Sequence, residues 1–200
     1  MERTTIGLDE RANQAEALYG RLTHGRLDEF HSSGVQLLSL GPYTLRARDG
    51  FLEHEGGFCL QIAKDHTRFV HVGGMLQQHT NIITIQGKRR GQELIERFRE
   101  TMQVHPANLA VLLYLELGRS LGHEQVLISG SAKDTSYYEN VQSAFYEIPR
   151  NYFRLRPNAH GDYECDAQTR DRILEKFSRK HPVVHDAVQG LRAYLQGGKQ

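Results

Sequence analysis

The spacing of the apolar residues changes twice along this chain, and this change limits the class of fold. From Val35 to Gln86, short runs have the period of two that is typical of strands, and glycines and polar turns separate them. From Leu94 to Leu121 the period is helical, and a short apolar strand follows at 126–129. Consecutive strands followed by helices and a further strand indicate an antiparallel meander joined to a crossover. We therefore expect an α+β fold with a central, mostly antiparallel sheet flanked by helices, of roughly five to seven strands.

The same pattern predicts the individual elements. Strands are expected at 35–40, 43–48, 58–63, 68–72, 81–86 and 126–129, and helices at 8–22, 92–102, 108–121, 167–180 and 183–195. We also expect a short helix at 137–145, an amphipathic strand at 151–156, and loops at 25–34 and 158–166. The helix at 108–121 is apolar nearly all round, which predicts a central, buried position.

Length and composition indicate one domain. The 200 residues have a hydrophobic content of 38% and a formal net charge of +1. A single domain over 1–200 would comprise an N-terminal helix and loop (1–30), a sheet core with central helices (35–156) and C-terminal helices (167–196). The near-neutral charge argues against a nucleic-acid partner, because dedicated nucleic-acid binders are strongly basic.

The chain also lacks the sequence features of membrane and secreted proteins. No apolar run is long enough for a membrane span, and residues 1–13 are charged rather than apolar, so no signal peptide is predicted. Two cysteines, Cys59 and Cys165, are too few for a disulfide framework. These features predict a soluble, cytoplasmic protein.

One basic loop between a predicted strand and a predicted helix is a candidate phosphate site. It contains Gly87, Lys88, Arg89, Arg90 and Gly91. The helix that follows offers unpaired N–H groups and the positive end of its dipole, and glycines allow a ligand to approach the backbone closely. The loop lacks the spacing of a P-loop. The alternative is a basic turn that faces solvent.

This loop and the order of the elements resemble the GCN5-related N-acetyltransferases. Their pyrophosphate loop has the pattern Q/R-x-x-G-x-G/A, and this chain has Lys88-Arg89-Arg90-Gly91-Gln92-Glu93, with Lys88 and Glu93 as departures. The resemblance implies a GCN5-related acyltransferase-like fold. It also implies a cofactor such as acetyl-CoA or another acyl carrier, held by residues 87–91.

Several short segments between about residues 55 and 156 carry a second resemblance through their order and spacing. They are Glu55-Gly56, Ile85-Gln86-Gly87, Glu93 with Ile95 and Thr101, His105-Pro106, Leu121-Gly122 with 124–128, Tyr138, and Asn151-Tyr152-Phe153-Arg154-Leu155. Together they resemble the VirK/YbjX-like family of bacterial proteins, which is linked to virulence and envelope stress in enterobacteria and whose biochemical activity is not settled. This resemblance therefore supports a fold more than a reaction.

Three residues are candidates for proton transfer. The acyltransferase resemblance implies that Tyr138, which follows the strand at 126–129, protonates the leaving thiolate. A tyrosine suits this role because its ordinary pKa of about 10 keeps it protonated at neutral pH. His71 is a candidate base because its ordinary pKa of about 6.5 is close to neutral pH, and Glu55 is an alternative base. For each of these side chains, the alternative to proton transfer is a purely structural role, either packed in the core or exposed at the surface.

Other chemistry has weaker support in the sequence. No histidines or cysteines have the spacing of a zinc site and no H-E-x-x-H motif occurs, so no metal is predicted. Arg150, Tyr152, Arg154 and Arg156 alternate basic and aromatic side chains, which could stack bases and hold phosphates or simply form a solvated sheet face.

These features lead to one preferred function and two alternatives. The preferred function is transfer of an acyl group from a carrier thioester to an amine or hydroxyl of a small molecule or peptide. One alternative is a non-catalytic, VirK-like binding or stress-response protein. The other is an enzyme that modifies a peptide held at the edge of the sheet. A cleft between the strands at 81–86 and 126–129 would favour an enzyme.

Overall fold

The computed structural model describes residues 8–50, 57–87, 91–129 and 148–197, with side chains from Ala15 onward. The helices are α1 (Leu8–Leu22), α2 (Leu27–Ser32), α3 (Gln92–Met102), α4 (Pro106–Ser120), α5 (Ala167–Lys180) and α6 (Pro182–Leu195), with a π-helical turn at Ile148–Tyr152. The strands are β1 (Val35–Leu40), β2 (Tyr43–Arg48), β3 (Phe58–Lys64), β4 (Thr67–Leu76), β5 (Thr80–Gly87), β6 (Gln125–Ile128) and β7 (Tyr163–Asp166).

All seven strands form one mixed sheet in the order of the chain. Strands β1 to β5 make an antiparallel meander, β6 joins β5 in parallel, and β7 pairs with β6 in antiparallel fashion. The parallel junction requires a crossover, which α3 and α4 supply. The predicted α+β class with a mostly antiparallel sheet is confirmed.

Helix α4 lies at the centre of the molecule. It packs on β3, β4 and β5 on one side and on α5 and α6 on the other, and residues 106–118 are all buried. The hydroxyl of Tyr114 donates a hydrogen bond of 3.2 Å to the carbonyl of Phe58, and the two rings meet edge to face. An apolar helix needs cover on all sides, and this placement supplies it.

Within the described residues, the structure differs from the sequence-based elements in two regions, 25–34 and 151–166, and the helix predicted at 137–145 lies outside the described residues. Residues 25–34 contain the short helix α2, whereas a loop was expected there. The strand predicted at 151–156 is wrong, because the segment begins in a π-helical turn and Arg154 has a φ of 57°. Phe153 and Leu155 are buried, as their alternation suggests, but a left-handed residue between them breaks the strand. The edge strand is β7, which lies within the loop expected at 158–166.

Within the described ranges, no helix combines the length and the apolar character needed to cross a bilayer.

Candidate functional site

Strands β5 and β6 pair over three residues. Thr80 to Ile82 pair with Val126 to Ile128, and the amide of Ser129 donates a 2.8 Å hydrogen bond to the Ile82 carbonyl. Beyond this point β5 continues to Gly87. Strand β6 pairs with one edge of β5 at Thr80–Ile82. Along the same edge, none of the described strands pairs with Ile83–Gly87. The pairing of β5 with β6 therefore ends at Ile82, in the region where a cleft would favour an enzyme.

A β-bulge in β5 follows the point where the pairing with β6 ends. In the pairing with β4, Thr84 is opposite Gly73 and Ile82 is opposite Gly74, so Ile83 is the extra residue. A Cβ on Gly74 would lie 1.8 Å from the carbonyl oxygen of Asn81, so only glycine fits there. A bulge bends its strand and disrupts the ladder locally. The bulge at Ile83 therefore lies directly after the residues of β5 that pair with β6.

Five polar side chains form a row across the sheet, which we call the polar row. Register places Gln36 opposite Arg46, Arg46 opposite Gln61, Gln61 opposite His71 and His71 opposite Gln86. Directly opposed residues share a face of the sheet. Phe58 lies three positions before Gln61 on β3 and contacts Tyr114 of α4. Because side chains alternate between the two faces along a strand, the polar row lies on the face opposite to α4.

The centre of the polar row is buried. Gln61 is 6% exposed and His71 is 5% exposed, whereas Gln86 is half-buried. Arg46 is held by the carbonyl oxygen of Gly34, which accepts a 2.6 Å hydrogen bond from its guanidinium. Buried polar groups lower the stability of a fold unless they are well paired, which makes this row a candidate functional site.

The polar row reaches the sequence-predicted loop. His71 is opposite Gln86, and the preceding residue Val70 is opposite Gly87. Directly opposed residues of antiparallel strands have Cα atoms about 4.5–5.5 Å apart. The structure therefore brings His71 and Gly87, two of the predicted site residues, to neighbouring positions on adjacent strands.

The start of α3 has no side-chain cap among the described residues. Gly91 is the N-cap and is itself buried. Glu93 forms an ion pair with Arg97 one turn further along, and the Gln92 amide donates to Glu96. The carboxylate of Glu93 therefore does not cap the helix.

The remaining predicted site residues fall elsewhere. Glu55, Tyr138 and the loop residues Lys88, Arg89 and Arg90 lie outside the described residues. Of the predicted site, the structure thus places His71, Gly87 and Gly91. The polar row itself was missed by sequence reasoning, because it depends on the register of five strands and no single segment carries its signal.

Within the described ranges, no group of three His, Cys, Asp or Glu side chains is placed so that it could hold a metal ion.

Comparison of the chain with protein-family models, with curated proteins and with solved structures finds no match. The resemblances to the GCN5-related and VirK/YbjX-like families therefore stay predictions from the sequence.

Proposed function

We propose that this protein transfers an acyl group from a carrier thioester to an amine or hydroxyl, on a fold like that of the GCN5-related acyltransferases. The observation that carries the proposal is that the polar row reaches Ile83–Gly87 of β5. Along one edge of β5, these residues pair with no described strand. The edge would hold the carrier, and the polar row would hold the acceptor and the base.

The edge of β5 has the right chemistry for a pantetheine-type arm. An uncovered strand edge presents N–H and C=O groups to a ligand. The arm of such a carrier contains two secondary amides, which can bind a strand edge as an extended peptide does. Its thioester end would then lie along the sheet, and its phosphates would lie toward the loop after Gly87.

The loop at residues 87–91 and the start of α3 would bind the phosphates. The N-terminal end of a helix attracts anions through its free N–H groups and its dipole. Glu93 would otherwise repel a phosphate, but its charge is balanced by Arg97. Lys88, Arg89 and Arg90 supply positive charge next to this end in the sequence.

The reaction needs one base and one acid. The acceptor nitrogen or oxygen attacks the thioester carbonyl, a new C–N or C–O bond forms, and the C–S bond breaks. We assign His71 as the base that removes the acceptor proton, with Glu55 as the alternative, and Tyr138 as the acid that protonates the leaving thiolate. An imidazole suits the role of base, because its unprotonated ring nitrogen can accept a proton.

Calorimetry with acetyl-CoA tests the proposal. We expect binding by the full chain and its loss in Arg90→Glu, with Arg99→Glu, an exposed residue at the far end of α3, as the charge-matched control. Hydrogen exchange should show protection of the amides of Ile83–Gly87 when acetyl-CoA is bound. No binding, or equal loss of binding in both variants, would contradict the proposal.

The same strand edge also fits an extended peptide, which favours the peptide-binding alternatives. Protection of Ile83–Gly87 by an unstructured peptide, together with no effect of acetyl-CoA, would identify that function instead. Replacement of His71 by Gln separates catalysis from binding, because it should abolish acyl transfer but leave the affinity for acetyl-CoA within about twofold.

A further inference from the structure

Three arginines line a concavity at the start of β7, and none of its lining residues belongs to the polar row. Arg150, Arg154 and Arg156 surround a volume of about 470 Å³ together with Leu155, Pro157 and Tyr163. We call this concavity the arginine pocket. Its volume is typical of small-molecule sites, which measure roughly 300–1,000 Å³.

The local backbone places the three arginines around one concavity. The amide of Phe153 donates to the Ile148 carbonyl at 3.1 Å, and the amide of Leu155 donates to the Pro149 carbonyl at 3.0 Å. Between these two anchored residues, Arg154 has a left-handed φ of 57°. Few residues other than glycine adopt this conformation without cost. Arg154, which lines the pocket, therefore has a strained backbone conformation.

The three arginines of the arginine pocket form no ion pair with a carboxylate in the described part of the chain. Of the acids nearby in sequence, Glu164 accepts a hydrogen bond from the amide of Asn158, and Asp162 accepts one from the hydroxyl of Ser129. Three positive charges around one concavity repel each other, so an anion bound there would stabilise the arrangement.

We propose that the arginine pocket binds a small molecule through a phosphate or pyrophosphate group. Guanidinium groups form paired, charge-assisted hydrogen bonds with phosphate oxygens, and three of them can surround two phosphates. The pocket is larger than a phosphate, and Leu155 and Pro157 give it an apolar wall for the rest of the ligand. This site is independent of the proposed acyl transfer, because it uses none of the residues assigned to that reaction.

Calorimetric titration with inorganic pyrophosphate at low ionic strength tests this site. The Arg90→Glu variant serves as the starting protein, so that the loop at 87–91 does not contribute to binding. We expect Arg154→Gly and Arg156→Gln to weaken binding about tenfold each, as the loss of a charged hydrogen bond does. Arg21→Gln, on the exposed surface of α1, is the matched control and should leave the affinity unchanged.

The outcomes separate a specific site from general attraction of anions. Loss of affinity in the two pocket variants, with no change in the control, supports the proposal. Equal weakening in all three variants, or pyrophosphate binding that does not depend on Arg154 and Arg156, overturns it. Absence of pyrophosphate binding to the full chain also overturns it. A comparison of ADP with pyrophosphate then shows whether a nucleoside adds affinity.

Discussion

Arg192 Nε lies 2.7 Å from Glu116 Oε1 and so links α6 to α4 across 76 residues of sequence. The Glu116 side chain is 1% exposed, and it also accepts hydrogen bonds from Arg119 and Ser120. Burial raises the pKa of the Glu116 carboxyl, and the hydrogen bond from Arg192 opposes this shift. The ion pair therefore keeps a charge in the otherwise apolar centre of the fold.

Replacement of Arg192 by Met should destabilise the protein, because it leaves the buried carboxylate of Glu116 with fewer donors. We expect a loss of about 2 kcal/mol in the free energy of unfolding, typical for a hydrogen bond to a charged group. Urea titration followed by circular dichroism measures it. Arg179→Met is the control, since its ion pair with Glu175 is exposed and such pairs contribute less than about 1 kcal/mol. Equal losses in the two variants would contradict the buried role.

Stability should fall as the solution is acidified below about pH 6.5, the ordinary pKa of histidine. His123 lies within hydrogen-bond distance of the buried Thr80 hydroxyl, at 2.9 Å, and burial lowers its pKa. Burial also lowers the pKa of His105, the N-cap of α4. A histidine whose pKa is lowered by folding stabilises the folded state while it is neutral. This stability is present above the pKa of the histidine in the unfolded chain, and it is lost as the pH falls through the pKa of the histidine in the folded chain.

The measurement is the free energy of unfolding as a function of pH from neutral to mildly acidic conditions. His123→Gln should reduce the slope, because one of the two histidines no longer titrates. His185→Gln, an exposed position on α6, should leave the slope unchanged. A pH profile that is identical in wild type and His123→Gln would refute this assignment.

Two glycines should respond oppositely to alanine. At Gly74 a Cβ would clash with the backbone carbonyl of Asn81, so Gly74→Ala should cost about 3 kcal/mol and disturb the bulge at Ile83. At Gly20, within α1, a Cβ would make an ordinary contact of 3.6 Å with Leu27. Gly20→Ala should therefore stabilise the protein by about 0.5–1 kcal/mol. Thermal unfolding of both variants is the check, and a tolerated Gly74→Ala would argue against the bulge.

Arg154→Gly should stabilise the protein although it removes a side chain. Its left-handed backbone costs a non-glycine residue about 1–2 kcal/mol, and the greater freedom of glycine in the unfolded chain offsets part of this gain. We expect a net gain of up to about 1 kcal/mol in urea unfolding. Arg156→Gly is the matched control, because Arg156 has no positive φ and its replacement should only destabilise. A loss in both variants would show that Arg154 contributes more by its contacts than it costs by its conformation.

The sequence predicted the elements with strong periodicity and failed where local geometry overrides it. Helix α5 and strands β1 and β2 have the bounds that were expected, because each has a clear apolar pattern. Strand β7 is only four residues long and has two buried side chains, Tyr163 and Cys165, so its signal is weak. At 151–156 the alternation correctly indicates which side chains are buried, but it cannot reveal a left-handed residue.

Less of the candidate site was predictable. The glycines around the loop and His71 were identified from residue type and position, but their proximity follows from the pairing of β4 with β5. The polar row and the arginine pocket arise from residues distant in sequence or from an irregular turn. Such groupings depend on tertiary structure, which periodicity does not encode.

The burial of α4 also has a consequence for synthesis on the ribosome. Helix α6 covers α4 and packs on β1, where Gly190 would place a Cβ only 3.1 Å from Leu38. While Pro182–Leu195 is still inside the ribosome, the apolar surface of α4 is exposed to water. Chaperone binding to this apolar surface in stalled nascent chains should therefore end when α6 emerges from the exit tunnel.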